Sequence, residues 1–251
     1  ALMFGGSAPP TSAAVEEFIG AGQPIGAWAT VNPMNTARGS LGSAGATSSA
    51  ALGFGGSTGS LTGATESWNG TNWTEVNDMN TGRNGMGSNG TQTSALGYMQ
   101  DDPARSGKTE SWNGTNWTEK NDLNTSRRQG GGLGADNTSA IAFGGEDGSN
   151  DNFAITELWN GTNWTEVNDL NTARCNIAGT GTVTAGLGIS GRILNAPGTA
   201  LSPSSEIWNG TNWTTVGSVN TARYSGGNNS TRTNYAEALF FGGYTTTVVA
   251  V

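Results

Sequence analysis

Short apolar segments recur along the chain, and most of them end in two glycines. They read ALMFGG at 1–6, ALGFGG at 51–56, AIAFGG at 140–145 and ALFFGG at 238–243, with degenerate copies ALGYMQ at 95–100 and AGLGISG at 185–191. Runs of this length, bounded by glycine, are typical of a buried strand that ends in a turn. The pattern therefore predicts β-strands at regular intervals.

Tryptophan gives a second periodic signal. The stretch WNGTNW occurs at Trp68–Trp73, Trp112–Trp117, Trp159–Trp164 and Trp208–Trp213. Asn-Gly between two strand-like runs predicts a tight hairpin, so the two Trp residues of each stretch are expected to face each other across adjacent strands. Their large apolar rings favour a structural role at the interfaces between repeats.

Two charged landmarks keep a fixed order around the Trp stretches. Glu precedes them at Glu66, Glu110, Glu157 and Glu206, and a turn ending in Arg follows each repeat, at Arg38, Arg83, Arg127, Arg174 and Arg223. The repeat Trp residues at 28, 73, 117, 164 and 213 are 45, 44, 47 and 49 positions apart, a period typical of propellers and solenoids. We interpret each Arg as structural, tying down turn carbonyls or pairing with a Glu, in preference to a ring of Arg residues that binds an anion.

The ordered landmarks (an apolar strand with a double glycine, then Glu, Trp and a turn ending in Arg) resemble the Kelch repeat over nearly the whole chain. Trp at 68, 112, 159 and 208 stands where the family usually has Tyr, and the hairpin that follows is shorter. The resemblance implies an all-β fold, a β-propeller of four-stranded antiparallel blades. Five repeats imply five blades in a single domain over residues 1–251. The repeats are also similar to Kelch-type proteins of bacteriophages and their marine bacterial hosts, which implies a virion appendage that contacts host surfaces.

The two ends of the chain do not match the repeat count. Six strands of the double-glycine type accompany five Trp repeats, so one of the terminal copies is surplus. Closing the ring predicts that the region Tyr224–Ser230 supplies the inner strand of the first blade. The surplus strand either packs on an outer edge, is loosely held, or pairs with another subunit, so a homo-oligomer or larger assembly through terminal strands stays open. The tail Tyr244–Val251 is expected to be extended.

Composition excludes several classes of partner. The 251 residues carry a formal net charge of -8, which opposes nucleic-acid binding, and no apolar run is long enough for membrane insertion. The start of the chain lacks the pattern of a signal peptide, and the Asn-x-Thr matches in the Trp hairpins are interpreted as turn chemistry. The single cysteine, Cys175, is predicted to be a buried structural residue.

No residues are marked out for catalysis. The chain has no His, no phosphate-binding glycine loop and no paired carboxylates marked out by their context, so we expect a protein that is not an enzyme, with no catalytic residues and no cofactor. A glycosidase needs only two carboxylates, so Asp101, Asp102, Asp147 and Asp151 leave that class open. Asp147, Ser149 and Asp151 have the alternating spacing of a calcium loop, but Asn152 replaces its glycine and Leu158 its final Glu. No metal site is therefore expected.

The loops after the double glycines vary from repeat to repeat. They provide the candidate partner-binding residues Asp101, Asp102, Arg105, Asp147, Asn150, Asp151 and Arg192. We expect a non-enzymatic structural and interaction module whose partner is a protein or a surface glycan. The alternative is a carbohydrate-binding lectin with repeated sites between blades, which requires exposed Trp rings. An adaptor for acidic peptides would need a basic pocket, and the acidic loops argue against it.

Overall fold

The fold is described from a computed structural model. The structure describes residues 2–4, 11–19, 27–100, 106–149, 151–194, 200–228, 236, 238 and 240–245. Strands are the regular secondary structure of these residues, and no membrane-spanning helix is found among them.

Four successive sheets contain four antiparallel strands each. The second blade has β4 (Gly42–Thr47), β5 (Ala50–Phe54), β6 (Thr65–Trp68) and β7 (Trp73–Val76). The third has β8 (Gly87–Thr91), β9 (Ser94–Tyr98), β10 (Thr109–Trp112) and β11 (Trp117–Lys120). The fourth has β12 (Gly131–Asp136), β13 (Ser139–Phe143), β14 (Thr156–Trp159) and β15 (Trp164–Val167). The fifth has β16 (Ala178–Thr182), β17 (Ala185–Ile189), β20 (Ser205–Trp208) and β21 (Trp213–Val216).

Three smaller sheets complete the described part of the chain. The first blade has three strands, β1 (Leu2–Phe4), β2 (Val15–Ile19) and β3 (Ala27–Val31). A short hairpin, β18 (Arg192–Ile193) with β19 (Ala200–Leu201), projects from the fifth blade. The C-terminal sheet pairs β22 (Gly227–Asn228) with β23 (Phe240–Phe241).

These sheets confirm the predicted all-β, five-bladed β-propeller, with one blade for each Trp repeat. The prediction that Tyr224–Ser230 supplies the inner strand of the first blade is wrong for the described residues, because β22 pairs with β23. The ALFFGG copy is close to β22 in sequence, and closing that short loop costs less entropy than bringing in the distant β1. Each terminal copy thus has a partner, since β1 pairs with β2. Residues 246–251 of the tail lie outside the described residues.

The Trp hairpins fold as their local sequence dictates. In the second blade, Trp68 and Trp73 are directly opposed, and Gly70 between them has a φ of 93°. The Asn69 side-chain oxygen accepts hydrogen bonds from the backbone N–H groups of Thr71 and Asn72, which fixes the turn. The other three WNGTNW stretches repeat these two bonds.

The core consists of aromatic groups that join neighbouring blades. The rings of each Trp pair lie 5.3–5.5 Å apart, and all eight residues are at most 6% exposed. The second Trp of each pair also contacts an aromatic residue of the preceding blade, on the strand that leads to the double-glycine position. These contacts, 4.7–5.0 Å between ring centroids, are Phe4–Trp73, Phe54–Trp117, Tyr98–Trp164 and Phe143–Trp213.

An aromatic contact of the same kind places the C-terminal sheet within the ring of blades. Phe241 of β23 lies 5.3 Å from Trp28 of the first blade, as Phe4 lies against Trp73 one blade further on. On its other side the C-terminal sheet reaches the fifth blade, where the Ser225 N–H donates to the carbonyl of Asn176. The sheet therefore lies between the fifth and first blades.

Candidate binding face

The repeated Arg and Glu residues form ion pairs in the interior. Arg38 donates to Glu66 at 2.7 Å, and the same pair recurs as Arg83–Glu110, Arg127–Glu157 and Arg174–Glu206. Their side chains are at most 1% exposed. Burial lowers the pKa of Arg38 and Arg83, with Glu66 and Glu110 opposing that shift, so desolvation outweighs the attraction. These four pairs are inaccessible to a partner. Arg223 differs, because it is only partly buried.

A series of backbone hydrogen bonds connects the turns that follow each repeat Arg. The N–H groups of Gly85, Gln129, Asn176 and Ser225 each donate to the carbonyl of the corresponding residue in the preceding repeat, at 2.6–3.3 Å, and the series begins at Ser40. All five residues have φ between 53° and 58°. Because equivalent turns of successive blades meet in this way, they surround the propeller axis. We call the surface formed by these turns and the loops after the double glycines the axial face.

Two neighbouring positions on the axial face vary in every repeat in which the structure shows them paired. The residue after the Arg forms an antiparallel bridge with the residue after the double-glycine position. The bridged pairs are Gly39 with Ser57, Arg128 with Glu146, Cys175 with Arg192 and Tyr224 with Tyr244. Equivalent positions of successive repeats thus hold a small polar pair, an ion pair, a thiol beside a cation and an aromatic pair. The backbone is constant there while the chemistry changes.

The densest part of the axial face surrounds Arg192. Its guanidinium lies 5.1 Å from the ring centroid of Tyr224, a cation–π contact. Cys175 is fully buried beneath it, and burial raises the pKa of this thiol against the opposing effects of Arg192 and Asn152. The Asn152 side chain donates to the carbonyl of Arg192 and accepts from the backbone N–H of Leu194. Arg192 is therefore held in place with part of its surface open to solvent.

Two tyrosines extend this surface towards the C-terminal sheet. The rings of Tyr224 and Tyr244 stack with their centroids 5.3 Å apart, and Tyr244 is 50% exposed. On the other side of Arg192 lies the fourth blade, where Arg128 is 26% exposed and pairs with the buried Glu146. The axial face thus presents a cation, aromatic rings and a partly open ion pair in close succession.

The loop residues that the sequence singled out have different outcomes. Asp101, Asp102, Arg105 and Asn150 lie outside the described residues. Asp147 accepts hydrogen bonds from the backbone N–H groups of Ser149 and Asp151, so its carboxylate shapes its own loop. Asp151 is exposed. Within the described ranges, no group of three or more acidic or Cys side chains is arranged to hold a metal ion.

Sequence reasoning missed four members of this face: Arg128, Glu146, Tyr224 and Tyr244. Each occupies a position fixed by a landmark, directly after the repeat Arg or after the double glycine. Aligning the repeats on those landmarks and comparing the next residue would have found them.

Comparison with known proteins supports the fold. The solved structure of YjhT is similar to this chain with a TM-score of 0.76 and 11% sequence identity, covering 93% of this chain and 85% of that one. No protein-family profile matches the sequence, and no curated protein matches it. At this identity the likeness to YjhT concerns the fold alone.

Proposed function

We propose that the protein is a non-enzymatic interaction module that binds a protein or a surface glycan through its axial face. The observation that carries this proposal is the separation of constant from variable residues. The Trp, Glu and Arg residues shared by the complete repeats are buried, whereas the residues that differ, such as Arg192 and Tyr244, gather around the axis. A rigid scaffold with variable exposed chemistry is the usual design of a binding surface.

The exposure of the Trp rings bears on the lectin alternative. A sugar stacks on an exposed aromatic face, and all eight paired Trp residues are buried. A groove of about 220 Å³ between the second and third blades includes Trp112 in its lining, but that side chain is only 1% exposed. We therefore favour the axial face over sites between blades.

Matched variants on two surfaces test the proposal. Arg192→Ala and Tyr244→Ala change the axial face, while Asn77→Ala and Thr115→Ala change the lining of the groove between blades. Binding of the labelled protein would be measured on a glycan array and on immobilised candidate surface proteins. We expect the axial variants to lose at least tenfold in affinity, because such anchors dominate interfaces, and the groove variants to bind normally. The opposite pattern would transfer the site to the groove and favour the lectin.

We also propose that the propeller is of the Kelch type and serves as a virion appendage. The Kelch part is supported by the constant structural role of each landmark: the Glu and Arg pair with each other, and the Trp joins two blades. The virion part follows only from the resemblance of the repeats to phage proteins. Mass spectrometry of purified particles would test it, and absence of the protein from intact particles would count against it.

A further inference from the structure

Each complete blade contains a carboxylate-binding site built from the turn that precedes it. In the second blade, Oε2 of Glu66 accepts from the backbone N–H and side-chain amide of Asn35, at 2.7 and 2.9 Å. Oε1 accepts from the Thr36 N–H at 3.3 Å and from Arg38 at 2.7 Å. The third and fourth blades repeat all four bonds, with Glu110 and Glu157 as acceptors. In the fifth blade, Glu206 accepts from Asn171 and Arg174.

A fifth copy of this donor set precedes the C-terminal sheet. Asn220, Thr221 and Arg223 occupy the positions of Asn35, Thr36 and Arg38. The Arg223 side chain donates to the carbonyls of Thr221 and Gly242, at 3.3 and 3.1 Å, and lies over the ring of Phe240. No carboxylate contacts the Arg223 guanidinium among the described residues.

Among the described residues, the C-terminal sheet has no counterpart of the strand that brings the glutamate in the complete blades. There the Glu-bearing third strand pairs with the second strand, and the register places Glu66 opposite Gly53 and Glu157 opposite Ala142. The equivalent second strand of the C-terminal sheet is β23, and β22 is its partner in the described part of the chain. A strand added to the other edge of β23 in the same register would place its Glu opposite Phe240, next to Arg223.

Hydrophobic exposure marks the same region. Trp28 of the first blade is 38% exposed, whereas its counterpart Trp73 is 5% exposed. Val216 on the last strand of the fifth blade is 36% exposed, and Tyr244 beside β23 is 50% exposed. Met3 on β1 of the first blade is 39% exposed, so four of the exposed large hydrophobic residues lie beside β23 or in the blades on either side of the C-terminal sheet.

We propose that Asn220, Thr221 and Arg223 bind the glutamate of a partner β-hairpin that carries the pattern Thr/Ser-Glu-x-Trp and adds to the edge of β23 opposite β22, which no described strand occupies. The partner is a polypeptide other than a second copy of residues 1–251, because the four copies of that pattern in this chain have their Glu buried in ion pairs. Glu16 is also unsuitable, since its strand β2 already pairs on both edges. This site is distinct from the proposed partner site around Arg192, and either proposal survives the failure of the other.

A synthetic hairpin tests the site on the full chain. The probe is a cyclised peptide with the sequence SSEIWNGTNWTTVG, taken from residues 204–217, and its control replaces Glu with Gln. Cyclisation is needed because isolated hairpins are only marginally stable in water. Isothermal titration calorimetry should detect binding of the Glu peptide and at least tenfold weaker binding of the Gln peptide. Arg223→Gln should weaken binding of the Glu peptide at least tenfold, Asn220→Ala should weaken it several-fold, and Lys120→Gln on an exposed strand should leave it unchanged.

Four results would overturn the proposal. The first is equal affinity for the two peptides, and the second is failure to bind the Glu peptide at millimolar concentration. The third is a dimer, detected by light scattering, that Arg223→Gln dissociates, because it would assign the site to a second copy. The fourth is coupling between Glu16→Gln and Arg223→Gln in urea unfolding, because it would assign the site to the first blade of the same chain. Circular dichroism of each variant confirms that the propeller remains folded.

Discussion

The substitution Thr109→Val should remove a hydrogen bond from a buried indole with little change in side-chain shape. Trp164 Nε1 donates to the Thr109 hydroxyl at 3.0 Å, and Trp117 and Trp213 make the same bond to Thr65 and Thr156. Val15 occupies the equivalent position in the first blade, and the buried Trp73 Nε1 correspondingly has no hydrogen-bond partner among the described residues. The protein therefore contains both the bonded and the unbonded form of one site.

The magnitude follows from the burial of the indole. Leaving a buried donor without an acceptor costs about 1–3 kcal/mol, and the valine methyl recovers part of that through apolar burial. We expect Thr109→Val to lower the free energy of unfolding by about 1–2 kcal/mol on the same basis. The reverse change, Val15→Thr, should supply the missing acceptor to Trp73 and raise the free energy of unfolding by up to about 1 kcal/mol.

Urea unfolding monitored by Trp fluorescence would measure both changes, with circular dichroism as a second probe to establish that the transition is two-state. A double-mutant cycle of Thr109→Val with Trp164→Phe isolates the bond, because the second change removes the donor. The reasoning would be refuted if Thr109→Val were as stable as the parent protein, or if the cycle gave no coupling.

Three further outcomes are expected. Trp117→Ala should lower the free energy of unfolding by about 3–5 kcal/mol, since it opens a cavity between two blades, and a loss below about 1 kcal/mol in urea would contradict the interface role. Glu157→Gln should lower it by about 3–5 kcal/mol by leaving the Arg127 charge buried and uncompensated, and the same titration checks this. Burial raises the pKa of Cys175 and of Tyr98, so the folded state favours their protonated forms. Stability should therefore be full below their ordinary pKa values of 9.0 and 10.0 and fall as the pH rises above them, and a fall that persists unchanged in Cys175→Ala with Tyr98→Phe would disprove this cause.

The five-bladed propeller was predictable because the same order of landmark residues recurs in each repeat of the sequence. Each WNGTNW stretch fixes its own turn through the Asn oxygen and the glycine, so a local sequence is enough to define a hairpin. The missing acceptor of Trp73 was harder to foresee, since it depends on aligning Val15 with Thr65, and the first repeat is degenerate. The pairing of β22 with β23 was missed because ALMFGG at 1–6 and ALFFGG at 238–243 are nearly identical, and either could have been the partner of β22. Sequence similarity does not show which of the two costs less loop entropy to pair.

The axial face was only partly predictable for a related reason. Periodicity identifies positions at which the same residue recurs. Arg128, Cys175 and Tyr224 occupy equivalent positions in their repeats, but their side chains have nothing in common. The sequence identified the loops as variable but could not show that the bridged pairs beneath them form a common surface. That conclusion required the hydrogen bonds between successive turns.

Those hydrogen bonds also affect how such a surface can evolve. The bonds between Ser40, Gly85, Gln129, Asn176 and Ser225 join main-chain atoms, so the bonds themselves require no particular side chain. A mutation at the neighbouring bridged positions can then change the side chains that one blade exposes, while the backbone hydrogen bonds between blades remain. Binding specificity can therefore change in one blade at a time, and each new variant keeps the stability of the propeller.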